Sequence, residues 1–119
     1  DGIILKDKTK LEDIKGQKVN LVEFSVSHYL LARALEKAGL SEADVKVENT
    51  SDADMVAAFK TPDVTAVVAW NPGFAAIAKE ANATIVFDST QTPGELVDGL
   101  LVNTEMLKAN PDFARAVAG

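Results

Sequence analysis

Polar and aromatic side chains gather where the longest predicted helix begins. Ser25, Ser27, His28 and Tyr29 directly follow segment 19–24, which has the apolar pattern of a strand. A hydroxyl at a helix start can cap backbone N–H groups, and the N–H groups left free can hold a small anion or a polar neutral group. Capping alone is the other interpretation of the serines. This strand-to-helix loop is the first candidate binding segment.

His28 is the only histidine of the chain, and two interpretations of it stay open. A general base needs an orienting partner, and a metal site needs further ligands; the sequence identifies neither. The alternative is a side chain that hydrogen-bonds and packs at the helix start. Two interpretations also stay open for Tyr29: its side chain either lines a cleft or packs within the fold. We therefore expect no catalytic residue, no metal site and no cofactor.

Trp70 and Asn71 form the second candidate, because Trp70 ends the apolar segment 64–70 and Asn71 follows it. An aromatic ring beside a polar amide suits the floor of a cleft. The alternative is that Trp70 packs in the core while Asn71 caps the next helix, with Pro72 at its first position.

Glu23 and Asp88 each end a separate predicted strand. Two carboxylates that face one cleft could bind amine, urea-like or amidinium donors. They could also act as an acid and base pair. For Asp88 the alternative is a turn or cap residue.

The elements that must position these residues alternate between strand and helix. This order predicts one α/β domain over residues 1–119, with an open, mainly parallel sheet and helices on both faces. Strands are predicted over 2–5, 19–24, 45–48, 64–70, 84–87 and 97–102, and helices over 25–38, from 51 to before 62, after 72, over 104–109 and over 111–118. Ligands of such sheets bind outside the C-terminal strand ends, so loops 23–29, 70–74 and 88–92 should meet at one edge.

Composition narrows the classes of partner. The 119 residues suffice for one domain, and 12 Lys and Arg against 18 Asp and Glu leave a net charge of −6. That charge argues against nucleic acid or an anionic membrane as the main partner. The chain has no cysteine, so it has neither disulfides nor thiol chemistry. It lacks Walker A and G-x-G-x-x-G motifs, which argues against a nucleotide ligand.

No apolar run approaches the roughly 20 residues of a membrane-spanning helix. The chain begins at Asp1 and carries no signal peptide. We therefore expect a processed protein or an excised piece of a longer one.

Several segments together resemble a known family: LEDIKGQKV at 11–19, SVSHYLL at 25–31, VVAWNP at 67–72, FDS at 87–89 and NPDF at 110–113. They resemble the second lobe of substrate-binding proteins of ABC importers, in the group related to taurine, aliphatic sulfonate, nitrate and urea. This group shares its fold with the pyrimidine synthase of thiamine biosynthesis.

The resemblance implies a lobe of the type II periplasmic-binding-protein fold. In that family two lobes close on a small solute outside the cytoplasm, and an ABC permease is the partner. Many relatives have Gly or another small residue near Phe24. By resemblance, the residues that face the cleft are Ser25, Val26, Ser27, His28 and Tyr29 in the first segment, Trp70 and Asn71 in the second, and Asp88 in the third.

The sequence thus predicts a small-solute-binding lobe without catalysis, for a nitrogen- or sulfonate-containing molecule such as taurine or urea. The alternative is an enzyme domain of the thiamine-precursor type, in which His28 would be the reactive group. A flavodoxin-like signalling receiver is disfavoured, because Glu23 is the only acidic residue of the first loop and Lys79 is misplaced. A single lobe should expose apolar surface that normally meets its partner, so self-association is also expected.

Overall fold

Five short strands form one sheet in the computed structural model, which describes residues 1–119. The strands are β1 (Gly2–Lys6), β2 (Lys18–Leu21), β3 (Lys46–Asn49), β4 (Ala66–Ala69) and β5 (Ala83–Asp88). The α-helices are α1 (Val26–Lys37), α2 (Asp52–Phe59), α3 (Gly73–Ile77), α4 (Thr104–Ala109) and α5 (Pro111–Ala118). Single turns of 3-10 helix lie at Leu11–Ile14, Glu42–Asp44 and Ser89–Gln91.

The sheet is mixed, and its strand order is β3-β2-β4-β1-β5. Strand β2 pairs in parallel with β3 and β4, whereas β1 lies antiparallel to both β4 and β5. The predicted open α/β sheet is confirmed, but half of its strand pairs are antiparallel. Four strands nevertheless run in one direction, with β1 inserted against them. Their C-terminal ends and the start of β1 therefore share one edge.

Strand β1 is buried on both faces and connects two hydrophobic cores. Ile3 and Leu5 pack in the core that contains the buried face of α1, while Ile4 packs in the opposite core with residues of α2 and α3. Side chains alternate across a strand, so a continuous apolar run is what a doubly covered strand requires. The predicted helices on both faces of the sheet are confirmed.

Side-chain caps form where three helices were predicted to begin. Ser25 Oγ accepts a hydrogen bond from the Ser27 N–H at 3.1 Å, and Ser51 Oγ accepts one from the Asp54 N–H at 3.2 Å. At the start of α5, the Asn110 side chain caps in the same way, followed by Pro111. The capping signals in the sequence were sufficient to predict where these helices begin, because each capping bond joins residues two or three apart.

Two sequence predictions need correction. Segment 97–102 is irregular rather than a strand, and Leu101 is 96% exposed. Glu95, just before this segment, is hydrogen-bonded to α1. This contact directs the chain away from the free edge of β5, so the segment does not pair with that strand. Asn71 does not cap α3, which begins later at Gly73 without a side-chain cap.

The C-terminal helices extend from the sheet and pack mainly against each other. Both have the predicted bounds, and neither contributes a buried side chain. Apolar side chains exposed between residues 97 and 117 are Val97, Leu100, Leu101, Met106, Leu107, Phe113 and Val117. None of the helices in the chain combines the length and apolar character needed to cross a membrane.

Gly2 leaves no room for a side chain in β1 and gives a test of the β1 insertion. A Cβ at Gly2 would lie 2.7 Å from Phe74 Cζ and 3.2 Å from the Phe87 carbonyl oxygen. We expect Gly2→Ala to lower the free energy of unfolding by about 1–3 kcal/mol, because the packed neighbours must shift. The control is Gly99→Ala, where no atom lies within 4 Å. Equal midpoints of urea denaturation for the two variants would contradict this packing.

Candidate ligand-binding site

The antiparallel position of β1 brings the predicted loops together with the start of the chain. Gly2 pairs with Ala69 at the end of β4 and with Asp88 at the end of β5. The Ser89 N–H donates to the Asp1 carbonyl oxygen at 3.0 Å, which holds Asp1 at this edge. The start of β1 thus lies between the ends of two strands that are separated in sequence.

Two adjoining concavities occupy this edge, and together they are called the edge cleft. The larger has a volume of about 510 Å³, and the smaller about 220 Å³. They share Asp1, Val26 and Asp98 as lining residues. The larger is also lined by Ser25, Trp70 and Asn71, and the smaller by Ser89, Thr92, Gly94, Leu96 and Val97.

Four predicted binding residues line the edge cleft: Ser25, Val26, Trp70 and Asn71. The Ser25 hydroxyl is already used, because it caps α1 and donates to the Val22 carbonyl oxygen at 2.6 Å. The Val26 N–H makes no hydrogen bond within the chain. The donors that the first and second segments leave available therefore include the Val26 N–H, the Asn71 amide and the Trp70 indole N–H.

Ser27 faces inward from the first turn of α1 and is fully buried. Its Oγ has no hydrogen-bond partner. It does not line the edge cleft. An unpaired buried hydroxyl costs stability. The Ser27 hydroxyl therefore neither caps the helix nor reaches the cleft, although Ser27 was predicted as a binding residue.

His28 lies outside the edge cleft and is engaged on both ring nitrogens. Its Nδ1 accepts a hydrogen bond from the Phe24 N–H at 3.1 Å, and its Nε2 lies 3.4 Å from Glu42 Oε1. The Phe24 ring packs beside the imidazole at a centroid distance of 5.8 Å. This environment corresponds to the hydrogen-bonding and packing alternative for His28.

Phe24 departs from ordinary backbone geometry. Its φ is +60°, in the left-handed region that favours glycine, and its side chain is 92% exposed. A bulky residue in this conformation costs roughly 1–2 kcal/mol. The turn also explains why β2 ends at Leu21 rather than at residue 24, because extended pairing cannot continue through it.

Glu23 and Asp88 are not brought together. They follow β2 and β5, which are three strand spacings apart in the sheet, or roughly 14 Å at the usual spacing. A small donor cannot bridge that distance between two carboxylates, and the two cannot form an acid–base pair. Asp88 Oδ1 instead accepts a hydrogen bond from the Thr90 N–H at 2.9 Å, which is the cap alternative. Neither carboxylate lines the edge cleft.

The acidic residues that do line the cleft are Asp1 and Asp98, which sequence reasoning missed. Asp1 Oδ2 is buried and has no hydrogen-bond partner. No Lys or Arg lines the cleft, so its side chains carry a net negative charge, while the α-ammonium of Asp1 lies 3.5 Å from Ser89 Oγ. Asp1 was overlooked because the sequence does not give the direction of β1, and Asp98 because its segment was taken as a strand. No three His, Asp or Glu side chains lie close enough to hold a metal ion.

A charged cluster fixes the loop that carries Asp98 against α1. Glu95 accepts hydrogen bonds from Arg33 Nε at 2.7 Å, Arg33 Nη2 at 3.2 Å and the Tyr29 hydroxyl at 2.9 Å. Hydrogen bonds from Arg33 and then Tyr29 lower the pKa of Glu95. Conversely, the bond to Glu95 raises the pKa of Tyr29. Tyr29 therefore acts in this cluster and does not line the cleft.

The fold and the edge cleft together define a class of protein. A mixed α/β sheet with a polar cleft at the strand ends is the architecture of a periplasmic-binding-protein lobe. The chain belongs to the NMT1/THI5 like family, which it matches over residues 3–118.

Two curated proteins of Escherichia coli (strain K12) are similar in sequence. A candidate aliphatic sulfonates-binding protein is 37% identical over 78 residues, which is 66% of this chain and 24% of that protein. The taurine-binding periplasmic protein is 24% identical over 98% of this chain and 37% of its own length. The chain therefore spans less than two fifths of the curated relatives it matches.

Two crystal structures of related proteins have the same fold. The periplasmic aliphatic sulphonate binding protein SsuA of Escherichia coli aligns with a TM-score of 0.83 and 28% identity, over 98% of this chain and 40% of that chain. The alkanesulfonate-binding protein SsuA of Xanthomonas axonopodis pv. citri, bound to MOPS, aligns with a TM-score of 0.82 and 26% identity, over 98% and 41%. All four relatives are named as binding proteins rather than enzymes.

The lowered pKa of Glu95 predicts an acid dependence of stability. Because the folded pKa lies below the unfolded value of about 4.3, the ionised cluster stabilises the fold above that value. This stabilisation is lost as the pH falls through the folded pKa. We expect Glu95→Gln to reduce the loss of unfolding free energy between pH 6 and pH 3, measured by urea denaturation.

The control for this prediction is Glu105→Gln, because Glu105 lies on the exposed helix α4 and pairs only with Lys108, at 3.3 Å. It should keep the acid dependence of the parent chain. An identical pH profile for Glu95→Gln and the parent would show that the cluster contributes nothing to folding.

Proposed function

We propose that this chain is one lobe of a periplasmic solute-binding protein of an ABC importer, and that the solute is a small aminosulfonate such as taurine. The names of the relatives support sulfonate and taurine chemistry, and their greater length supports a second lobe elsewhere in the protein. Solute would be held between the two lobes as they close, so this chain supplies half of the contacts.

The unpaired carboxylate oxygen of Asp1 carries the proposal for the ligand. A buried carboxylate without a partner is costly, and an ammonium group would give it a charge-assisted hydrogen bond. Asp98 lines the same cleft and would share the positive charge. A neutral solute such as urea would leave this negative charge uncompensated, so we favour a ligand with an ammonium group.

The other residues that line the larger concavity suit the sulfonate. The free Val26 N–H stands at the start of the twelve-residue helix α1, whose dipole favours an anion there. The Asn71 amide supplies a second neutral donor, and Trp70 supplies an apolar wall for the carbon spacer. A zwitterion with a short spacer satisfies both requirements.

A binding role fits the surroundings of His28 better than catalysis does. In an enzyme of the thiamine-precursor type, His28 would be the reactive group. Here its nitrogens face the Phe24 N–H and the Glu42 carboxylate, and its ring lies outside the edge cleft. No observation in the chain favours the enzyme alternative.

The exposed apolar tail supports a two-lobed protein. Residues 97–117 expose seven large apolar side chains while α4 and α5 pack mainly on each other. We propose that this tail packs against the other lobe.

This packing predicts that the lone chain associates with itself. We expect the 119-residue chain to form dimers or larger species at high concentration, because exposed apolar surface is removed from water on contact. The variant Leu101→Ser with Val117→Ser should remain monomeric by light scattering, whereas Lys79→Ser, on the surface beside α3, should associate like the parent. A parent chain that is monomeric at millimolar concentration would contradict the tail proposal.

The ligand proposal is tested by calorimetry on the two-lobed protein with taurine, ethanesulfonate and urea. We expect taurine to bind, and Asp1→Asn to weaken it by about tenfold or more, as loss of a charge-assisted bond predicts. The same substitution should weaken the binding of ethanesulfonate much less, because this ligand has no ammonium group.

The matched control is Asp63→Asn, which removes a carboxylate from an exposed turn before β4, at the opposite edge of the sheet. It should bind taurine like the parent protein. Failure to bind any sulfonate would refute the proposed function, and equal taurine affinity in Asp1→Asn would refute the role of Asp1.

A further inference from the structure

Segment 96–103, which carries Asp98 into the edge cleft, has little holding it in place. It belongs to no helix or strand, and no backbone N–H from residue 96 to 103 donates to another backbone group. Most of its side chains are exposed beyond Leu96, which packs against the α1 core. The position of Asp98 therefore depends on what anchors the chain just before it.

Glu95 is that anchor, three residues before Asp98. Its two carboxylate oxygens receive three hydrogen bonds from Tyr29 and Arg33, both on α1. These partners lie 66 and 62 residues away in sequence, so the cluster is a tertiary tie rather than a local turn. The planar guanidinium of Arg33 donates hydrogen bonds to both oxygens of the carboxylate. This bidentate contact fixes the orientation of Glu95 as well as its distance from α1.

The tie joins two elements that line the cleft. Helix α1 begins at Val26, whose free N–H suits an anion, while the loop carries Asp98, whose carboxylate suits a cation, and both residues line the larger concavity. Arg33 lies seven residues along the same rigid helix, or about 10 Å from its start at 1.5 Å per residue. A loop bonded to Arg33 is thereby held at a set distance from the start of α1.

We propose that Glu95 is a positioning residue that, through Arg33 and Tyr29, sets the separation between the anion-binding start of α1 and the cation-binding Asp98. The inference rests on the proposed function. It assigns Glu95 a role in selecting zwitterionic solutes over simple sulfonates, although Glu95 itself does not line the cleft. Glu95 contacts no ligand in this scheme and acts only by holding Asp98.

The test compares taurine with ethanesulfonate in the two-lobed protein, by calorimetry at pH 7. We expect Glu95→Gln to weaken the binding of taurine about tenfold and that of ethanesulfonate by less than about threefold. Only the contact with the ammonium group should lose its geometry. Glu95→Asp, which keeps the charge but shortens the reach, should give an intermediate loss. Thermal unfolding of each variant checks that the lobe still folds.

Glu36→Gln is the matched control, since Glu36 also pairs with Arg33 but lies on α1 itself and ties no loop. It should leave the preference for taurine unchanged. An equal loss for both ligands in Glu95→Gln would overturn the inference, and so would no loss at all. If the parent binds neither sulfonate, the proposed function fails and this inference fails with it.

Discussion

The antiparallel insertion of β1 between β4 and β5 is the constraint on which the rest of the structure depends. Its continuous apolar run supplies Ile3 and Leu5 to one core and Ile4 to the other, so the helices on both faces pack against the same strand. Gly2 has no side chain, and this lets the Phe74 ring and the Phe87 carbonyl approach closely. Removing this strand would take apolar side chains out of both cores and detach β5 from the rest of the sheet.

The same insertion creates the chemistry of the cleft. Because β1 runs against its neighbours, its first residues meet the C-terminal ends of β4 and β5, and Asp1 lines the larger concavity together with the start of α1. A purely parallel sheet would have placed Asp1 at the opposite edge. The lining of the cleft thus combines carboxylates with a helix start and an amide. This combination is the physical reason for proposing a solute with charges at both ends.

The tail and the cleft are both surfaces with half of their contacts missing. The tail exposes apolar side chains that a folded domain normally covers, and the cleft has one buried carboxylate oxygen, Asp1 Oδ2, without a hydrogen-bond partner. The chain spans about two fifths of the related crystal structures. A protein whose affinity arises from closure of two lobes would leave both surfaces incomplete in one lobe, so the two observations agree.

Local bonds account for what the sequence alone determined. The bounds of α4 and α5, the caps at Ser25 and Ser51 and the polar start of α1 depend on contacts within a few residues, which residue type and spacing encode. The family resemblance added the prediction that the chain is one lobe of a binding protein, together with the segments expected to face its cleft. Trp70 and Asn71, which it placed in the second segment, line the larger concavity of the structure, although the capping signal at Asn71 was misleading.

Tertiary structure alone decided the direction of β1, the distance between Glu23 and Asp88, the place of Asp1 in the cleft and the tie between Glu95 and Arg33. Each of these depends on pairing between segments roughly 60 or more residues apart. Hydrophobic patterning shows that a strand is buried on both faces, but it is the same for either direction of the strand. The sequence therefore determined most of the helices and strands, though not the irregular segment 97–102, and only their packing decided which side chains share the cleft.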